Sequence, residues 1–428
     1  MREIAPPASA GIAKNRLKEI KEKLHKPLAI AAVVGALAVP SALASEDDPN
    51  PPIAEPLKEF VVGVQDDQAV SEEIKESRRV VEVFEPLDID VWKVTAPWTA
   101  RNSQGAQCAE IDNELLRYGN FFKVAKEYDL VPMINLIPGG GAGLGKPPLT
   151  PGDRKCYADT AAGYVNLFAN ENPGGTLVME FPNEPNLKKF WRHQYDNKDK
   201  WVAPRNVVKT LAVTYQTVKK EADELGVKVI IVGPGLSPRQ AIRFVKKMGS
   251  EYKDLDIQGP LMNALSYHPY AKLNNEPPDV KHLDQETTGV ADLPDLKEAL
   301  DESFKDAIPV WATEAAYNAR VPTGFTDLYP GLKQNSPYLI SESQIAKYYM
   351  SALKRTYCDG GGAFIFFNAI DDPSPSPDGG WWTGGLIRPL PPRDESQDAF
   401  FGVSLKPAYE AVRQTIADIK SGAVDSSC

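Results

Sequence analysis

Two short stretches of the chain carry side chains whose type and position could do chemistry. In TLVMEFPNEPNLKKFW, residues 176–191, an apolar run turns polar at Asn183-Glu184-Pro185-Asn186. In VWATE, residues 310–314, a second apolar run ends on Glu314. A short apolar run bounded by proline or polar residues reads as a buried strand. A carboxylate just past the end of such a strand is carried on a rigid support. Two carboxylates aimed into one pocket suit the cleavage of an acetal bond between sugars. One protonates the leaving oxygen, and the other attacks the anomeric carbon or activates water. The leaving alkoxide departs poorly unprotonated, so the acid must hold a proton at neutral pH, an effect of burial or of a neighbouring negative charge.

The elements that must position this pair alternate along the chain. Strands are expected at 60–64, 90–95, 131–136, 176–181, 227–232, 264–268, 310–313 and 363–367, each followed by a helical pattern. Gly226 closes the helix expected at 204–225, as glycines past a helix end do. Ser237-Pro238-Arg239-Gln240 and Ser341-Glu342-Ser343-Gln344 read as capping boxes that open the next helices. Eight β–α units in order predict a single α/β domain, a (β/α)8 TIM barrel, whose active site lies at the C-terminal strand ends. An open doubly wound sheet would need a phosphate loop after its first strand, where Gln65-Asp66-Asp67 stands instead. The glycines of 139–145 lead to Pro147-Pro148 and lack the ending of a P-loop. Strands four and seven face each other across such a barrel, so Glu184 and Glu314 share its pocket. His268-Pro269-Tyr270 joins them from strand six.

Asn183-Glu184-Pro185 after strand four, Thr313-Glu314 after strand seven, Phe190-Trp191 and Lys406-Pro407-Ala408-Tyr409 together resemble glycoside hydrolase clan A, the retaining (β/α)8 glycosidases. The nearest pattern is that of family 5 and family 39 style sequences, and the resemblance runs from Phe60 to Ile419. It implies Glu184 as acid/base and Glu314 as nucleophile. It also implies that Asn183 binds the sugar 2-hydroxyl and that Tyr270, with His268, holds the nucleophile. Two positions depart from the pattern. Lys93 stands where many members carry an arginine that orients the nucleophile, and a lysine cannot make a bidentate contact. Phe366 or Phe367 stands where many carry a tryptophan floor for the sugar. Lys93, Trp98, Trp191 and Trp381 are further candidates for substrate binding. The expected function is that of a retaining glycoside hydrolase acting on a β-linked oligo- or polysaccharide without a cofactor. A non-catalytic carbohydrate-binding protein on a decayed barrel, and a transglycosylase using the same residues, are the alternatives.

Composition bounds the rest. The 428 residues are 42% hydrophobic and 25% charged, ordinary for a globular chain, and the net charge of −10 argues against nucleic acid as a partner. Basic residues from Lys14 to Lys26, an apolar run at 28–39 and Ser41-Ala42-Leu43-Ala44 form the pattern of a secretory signal over residues 1–44. An acidic, Pro-rich linker is expected at 45–58, the barrel at 59–420 and a short tail at 421–428. The expectation is an exported monomer, free of the membrane once the signal is cleaved. Four cysteines in an exported chain suggest two disulfides. Of the three possible pairings, placement at strand ends favours Cys108 with Cys156 and Cys358 with Cys428. None of the four has a second cysteine or a histidine at metal spacing, so no metal site is expected.

Overall fold

A computed structural model describes residues 59–98, 115–138, 147–272, 275–304, 307–372, 382–390 and 403–425. Eight parallel strands close into a barrel: β1 (Val61–Gln65), β2 (Val91–Trp98), β3 (Val131–Pro138), β4 (Thr176–Glu180), β5 (Lys228–Leu236), β6 (Ala264–Tyr267), β7 (Val310–Ala315) and β8 (Ala363–Phe367). Closure comes from β8 pairing in parallel with β1, Val61 opposite Ala363 and Gln65 opposite Phe367. The surrounding helices are α1 (Ile74–Phe84), α2 (Leu115–Glu127), α3 (Pro151–Glu171), α4 (Ala203–Leu225), α5 (Ala241–Asp254), α6 (Leu293–Ser303), α7 (Glu342–Cys358) and α8 (Pro407–Lys420). The expected (β/α)8 barrel is thus the fold.

Strand residues alternate between two environments because successive side chains point to opposite faces. Val62, Val64, Trp92, Val94, Ile134, Leu177 and Met179 face outward and pack with the helices in the larger core. Val91, Met133, Val178, Ile230, Trp311 and Ile365 form a smaller apolar cluster that floors the barrel. Two residues further along the same faces, the side chains become polar: Lys93, Asn135, Glu180 and Thr313, all buried. The barrel interior therefore changes from an apolar floor to a charged layer as it approaches the C-terminal strand ends.

Local signals explain most helix limits. Thr150 caps α3 through a reciprocal capping box with Asp153, with Pro151 following. Ser341 accepts from the Gln344 amide at the start of α7, and Gly226 ends α4 with φ 66°. The box expected at Ser237 is absent. α5 begins at Ala241, and its flanking residue Gln240 makes no side-chain cap. Ser237 is instead claimed by loop contacts: its amide donates to Asn186 Oδ1 and its carbonyl accepts from Asn186 Nδ2. The structure also adds an antiparallel pair that was not expected, β9 (Ile387–Pro389) with β10 (Val403–Leu405), after the last barrel strand.

Among the four cysteines, Cys156 lies in the second turn of α3, buried, and not at a strand end as expected. Cys358 ends α7, with its Sγ 4.0 Å from the carbonyl of Asp425. Neither is a free thiol. Cys108 and Cys428, the residues expected to pair with them, lie outside the described residues, as do the expected signal, the expected linker and Trp381.

Candidate active site

The charged layer is held by one lysine. Lys93, on β2, donates from Nζ to Glu314 Oε1 at 3.0 Å and to the Thr313 carbonyl at 3.1 Å. It also lies 3.0 Å from Glu180 Oε2 on β4. Burial pulls the ammonium toward neutrality, but Glu180 and Glu314 outweigh it and raise its pKa. Glu180 shows the mirror image. Burial would raise its pKa, yet Lys93 and His268 bring it down to about 2. Three carboxylate and imidazole groups here, Glu180, His268 and Glu314, are close enough to share a metal ion. Lys93 stands between two of them and supplies the positive charge they need.

His268 links the two carboxylates expected to act. Its Nε2 is 3.1 Å from Glu180 Oε1, while Nδ1 is 3.2 Å from Glu184 Oε1 and 3.4 Å from Glu314 Oε2. Burial alone would lower its pKa, but Glu314, Glu180 and Glu184 raise it to about 10, so the ring is an imidazolium at neutral pH. Because both oxygens contact one nitrogen, they can be no further apart than the sum of the two distances, 6.6 Å. Lys93, Glu180 and His268 have fully buried side chains, whereas those of Glu184 and Glu314 are 12% and 10% exposed. Only the last two can meet a substrate.

Backbone detail aims each of these two. The pairing of β7 with β8 shifts register between Ala312 and Ala315. Such a bulge lets consecutive residues turn to the same side. Thr313 points inward onto the Ser266 hydroxyl, and Glu314 also reaches the pocket. Tyr270 then donates to Glu314 Oε2 at 3.0 Å. Burial and the Glu314 charge push the Tyr270 phenol well up, so it remains a donor. Glu184 has φ 37°, in the left-handed region that costs a non-glycine residue about 1–2 kcal/mol. Its amide donates to the Gly235 carbonyl at 2.7 Å, and Asn183 pairs with Gly235 as an isolated bridge, so β5 holds this turn. Gly235 must be glycine here, since a Cβ would strike Glu180 Oε1 and His268 Nε2.

Asn183 is oriented by Asn135 of β3, whose amide donates to Asn183 Oδ1 at 2.8 Å and to Glu314 Oε1 at 3.4 Å. With its oxygen engaged, Asn183 has its own amide hydrogens left for a ligand. Phe367, and not Phe366, belongs to the pocket. It packs edge-on against Tyr270 and Trp382, whereas Phe366 is buried behind the barrel wall against Tyr349. Two expected substrate contacts fall elsewhere. Trp98 and Trp191 are each only 1% exposed and belong to the barrel–helix core, Trp98 against Tyr157. Large aromatic rings at loop starts fill space there instead of meeting sugar. Glu180 and Asn135 were not singled out from the sequence. The available signal was a charged residue within each of two otherwise apolar strands, Lys93 and Glu180, because a buried charge needs an opposite partner.

No family model matches the chain, and no curated protein matches it in sequence. Solved structures share its fold. A family 5 protein, GH5_18 from Streptomyces cattleya, in complex with GlcNAc, aligns over 85% of this chain and 81% of its own with a TM-score of 0.56 at 12% identity. A glucosidase from Croceicoccus marinus aligns over 86% and 68% with a TM-score of 0.56 at 11% identity. The exo-β-1,4-mannosidase Op5Man5 from an Opitutaceae bacterium aligns over 85% and 60% with a TM-score of 0.54 at 14% identity. At such identities the likeness defines the fold class, a (β/α)8 barrel of the kind that family 5 glycosidases use.

Proposed function

We propose that this protein is an exported, retaining glycoside hydrolase of the clan A, family 5 type, acting on a β-linked oligo- or polysaccharide. The observation that carries the reading is the convergence of Glu184 and Glu314 on His268 Nδ1, which limits their nearer oxygens to a separation of 6.6 Å. Direct attack by a carboxylate wants about 5–5.5 Å between the carboxyl groups, and a water-mediated inversion about 6.5–9.5 Å. Glu314 is the nucleophile: Lys93, Tyr270, Asn135 and His268 all direct donors at it, which fixes it for in-line attack. Glu184 is the acid/base. It passes a proton to the leaving oxygen, then takes one from the water that releases the sugar. Asn183 meets the 2-hydroxyl, and Phe367 with Trp382 offers an aromatic wall to the sugar. The solved structures of like fold include complexes with GlcNAc and Manβ1-4GlcNAc, which supports a carbohydrate substrate. Export accords with the N-terminal pattern and with Cys156 and Cys358 not being free thiols.

The test is to trap the intermediate. Gluco- and manno-configured 2-fluoro glycosides with good leaving groups should leave a glycosyl adduct on the peptide containing Glu314. Proton spectra of early product should show the β-anomer first. An α-anomer as first product, or a chain that binds glycans and turns none over, would sink the proposal.

A further inference from the structure

A groove of about 660 Å³ lies beside the loop that follows Glu184, lined among others by Asn186, Lys188, Tyr195, Trp201 and Arg239. Its position follows from contacts already described. Asn186, two residues after the acid/base, bonds both the amide and the carbonyl of Ser237, and its Nδ2 also donates to the Arg239 carbonyl at 2.6 Å. The loops after β4 and β5 are thereby fastened together beside Glu184. The acid/base protonates the leaving oxygen, so a leaving group departs on its side of the scissile bond, away from Glu314. Resting on the glycosidase reading above, the groove is where that leaving group lies.

The lining has two chemical features. Tyr195, 54% exposed, stacks on Trp201 with ring centroids 6.4 Å apart, and Trp201 is fixed from behind by Phe244 and by a bond from Nε1 to Gln194. Such a supported aromatic surface suits the CH face of a sugar. The second feature is charge. Of the charged groups on the wall, Glu286 is paired with Arg243 and bonded to Gln240, and Lys272 faces Asp284. Lys188 and Arg239 have no charged partner among the described residues. Two cations without a charged partner thus line one groove of a chain whose net charge is −10. A neutral glycan would give them nothing to pair with, whereas a carboxylate or sulfate group would accept the two-pronged hydrogen bond a guanidinium offers.

We propose that the leaving-group side of the substrate carries an anionic sugar, a uronate or a sulfated residue, bound by Arg239 and Lys188 over the Tyr195–Trp201 surface. The test is calorimetric titration of the Glu314→Gln variant with neutral, uronate-bearing and sulfated oligosaccharides of the same backbone. The anionic series should bind about tenfold tighter or better, the range of a charge-assisted hydrogen bond, and weaken as salt is added. That preference should vanish in Lys188→Ala/Arg239→Ala and partly return with Arg239→Lys. Comparison of the two anionic series identifies the group. Equal binding of neutral and anionic glycans, a preference that survives the double substitution, or no measurable binding overturns the proposal. Turnover of neutral aryl glycosides by the parent chain reports on the glycosidase reading separately, so the two can fail independently. Both cations lie at the surface of loops, and circular dichroism checks that the variants remain folded.

Discussion

Replacing Lys93 with methionine is the sharpest probe of the charged layer. The side chain is fully buried, and its ammonium lies 3.0 Å from both Glu180 Oε2 and Glu314 Oε1. Methionine fills a similar volume but leaves two carboxylates without their shared cation. Removing one partner of a buried ion pair costs about 3–5 kcal/mol, because the charge left behind stays desolvated. Single domains are stable by only about 5–15 kcal/mol, so the loss should be plain in urea unfolding at neutral pH, as a lower midpoint with an unchanged slope. Adding Glu180→Gln removes one of the stranded charges and should return about half of the loss. Glu314 keeps Tyr270, His268 and Asn135 as donors in that background. A double-mutant cycle isolates the coupling. A cost below about 1 kcal/mol for Lys93→Met, or equal destabilisation of the parent chain and the Lys93→Met variant by Glu180→Gln, would refute this role for Lys93.

Other outcomes follow from the same geometry. Glu184→Ala should lower turnover of natural-type glycosides about 10²–10⁴-fold, as loss of a general acid does, while aryl glycosides with acidic phenols suffer less in their first step; stopped-flow release of the phenol separates the two. Tyr270→Phe removes one hydrogen bond to the Glu314 carboxylate and should cost about 1.5–3 kcal/mol in kcat/KM, with unfolding nearly unaffected, and kinetics on any accepted substrate checks it. For pH, the folded His268 value of about 10 lies above its ordinary 6.5. Its contribution to stability is therefore complete below the ordinary value and is lost as pH rises through about 10. Glu180, brought down to about 2 from 4.5, contributes stability that is present above 4.5 and lost as pH falls toward about 2. Unfolding midpoints across pH should thus fall on both sides, and His268→Gln should flatten the alkaline side.

Much of the fold was legible from local sequence. Short apolar runs and helix-end residues such as Gly226 and Ser341 marked strands and helices to within a few residues, because those signals act between near neighbours. Glu184 and Glu314 stood out for the same reason, each closing an apolar run. Ser237 shows the limit: a sequence that suits a helix cap was taken by Asn186, a partner 51 positions away. The aromatic residues show it again, since Trp98 and Trp191 look like Trp382 in sequence and differ only in what the closed barrel packs around them. The cluster of Lys93, Glu180 and His268 exists only in the folded barrel. Its members come from β2, β4 and the end of β6, and a lone charge within an apolar strand says that a partner exists without saying which. Barrel closure brings these strand ends to one centre and removes water from it. Only there does a lysine at position 93 become the support of a carboxylate 221 residues further along the chain.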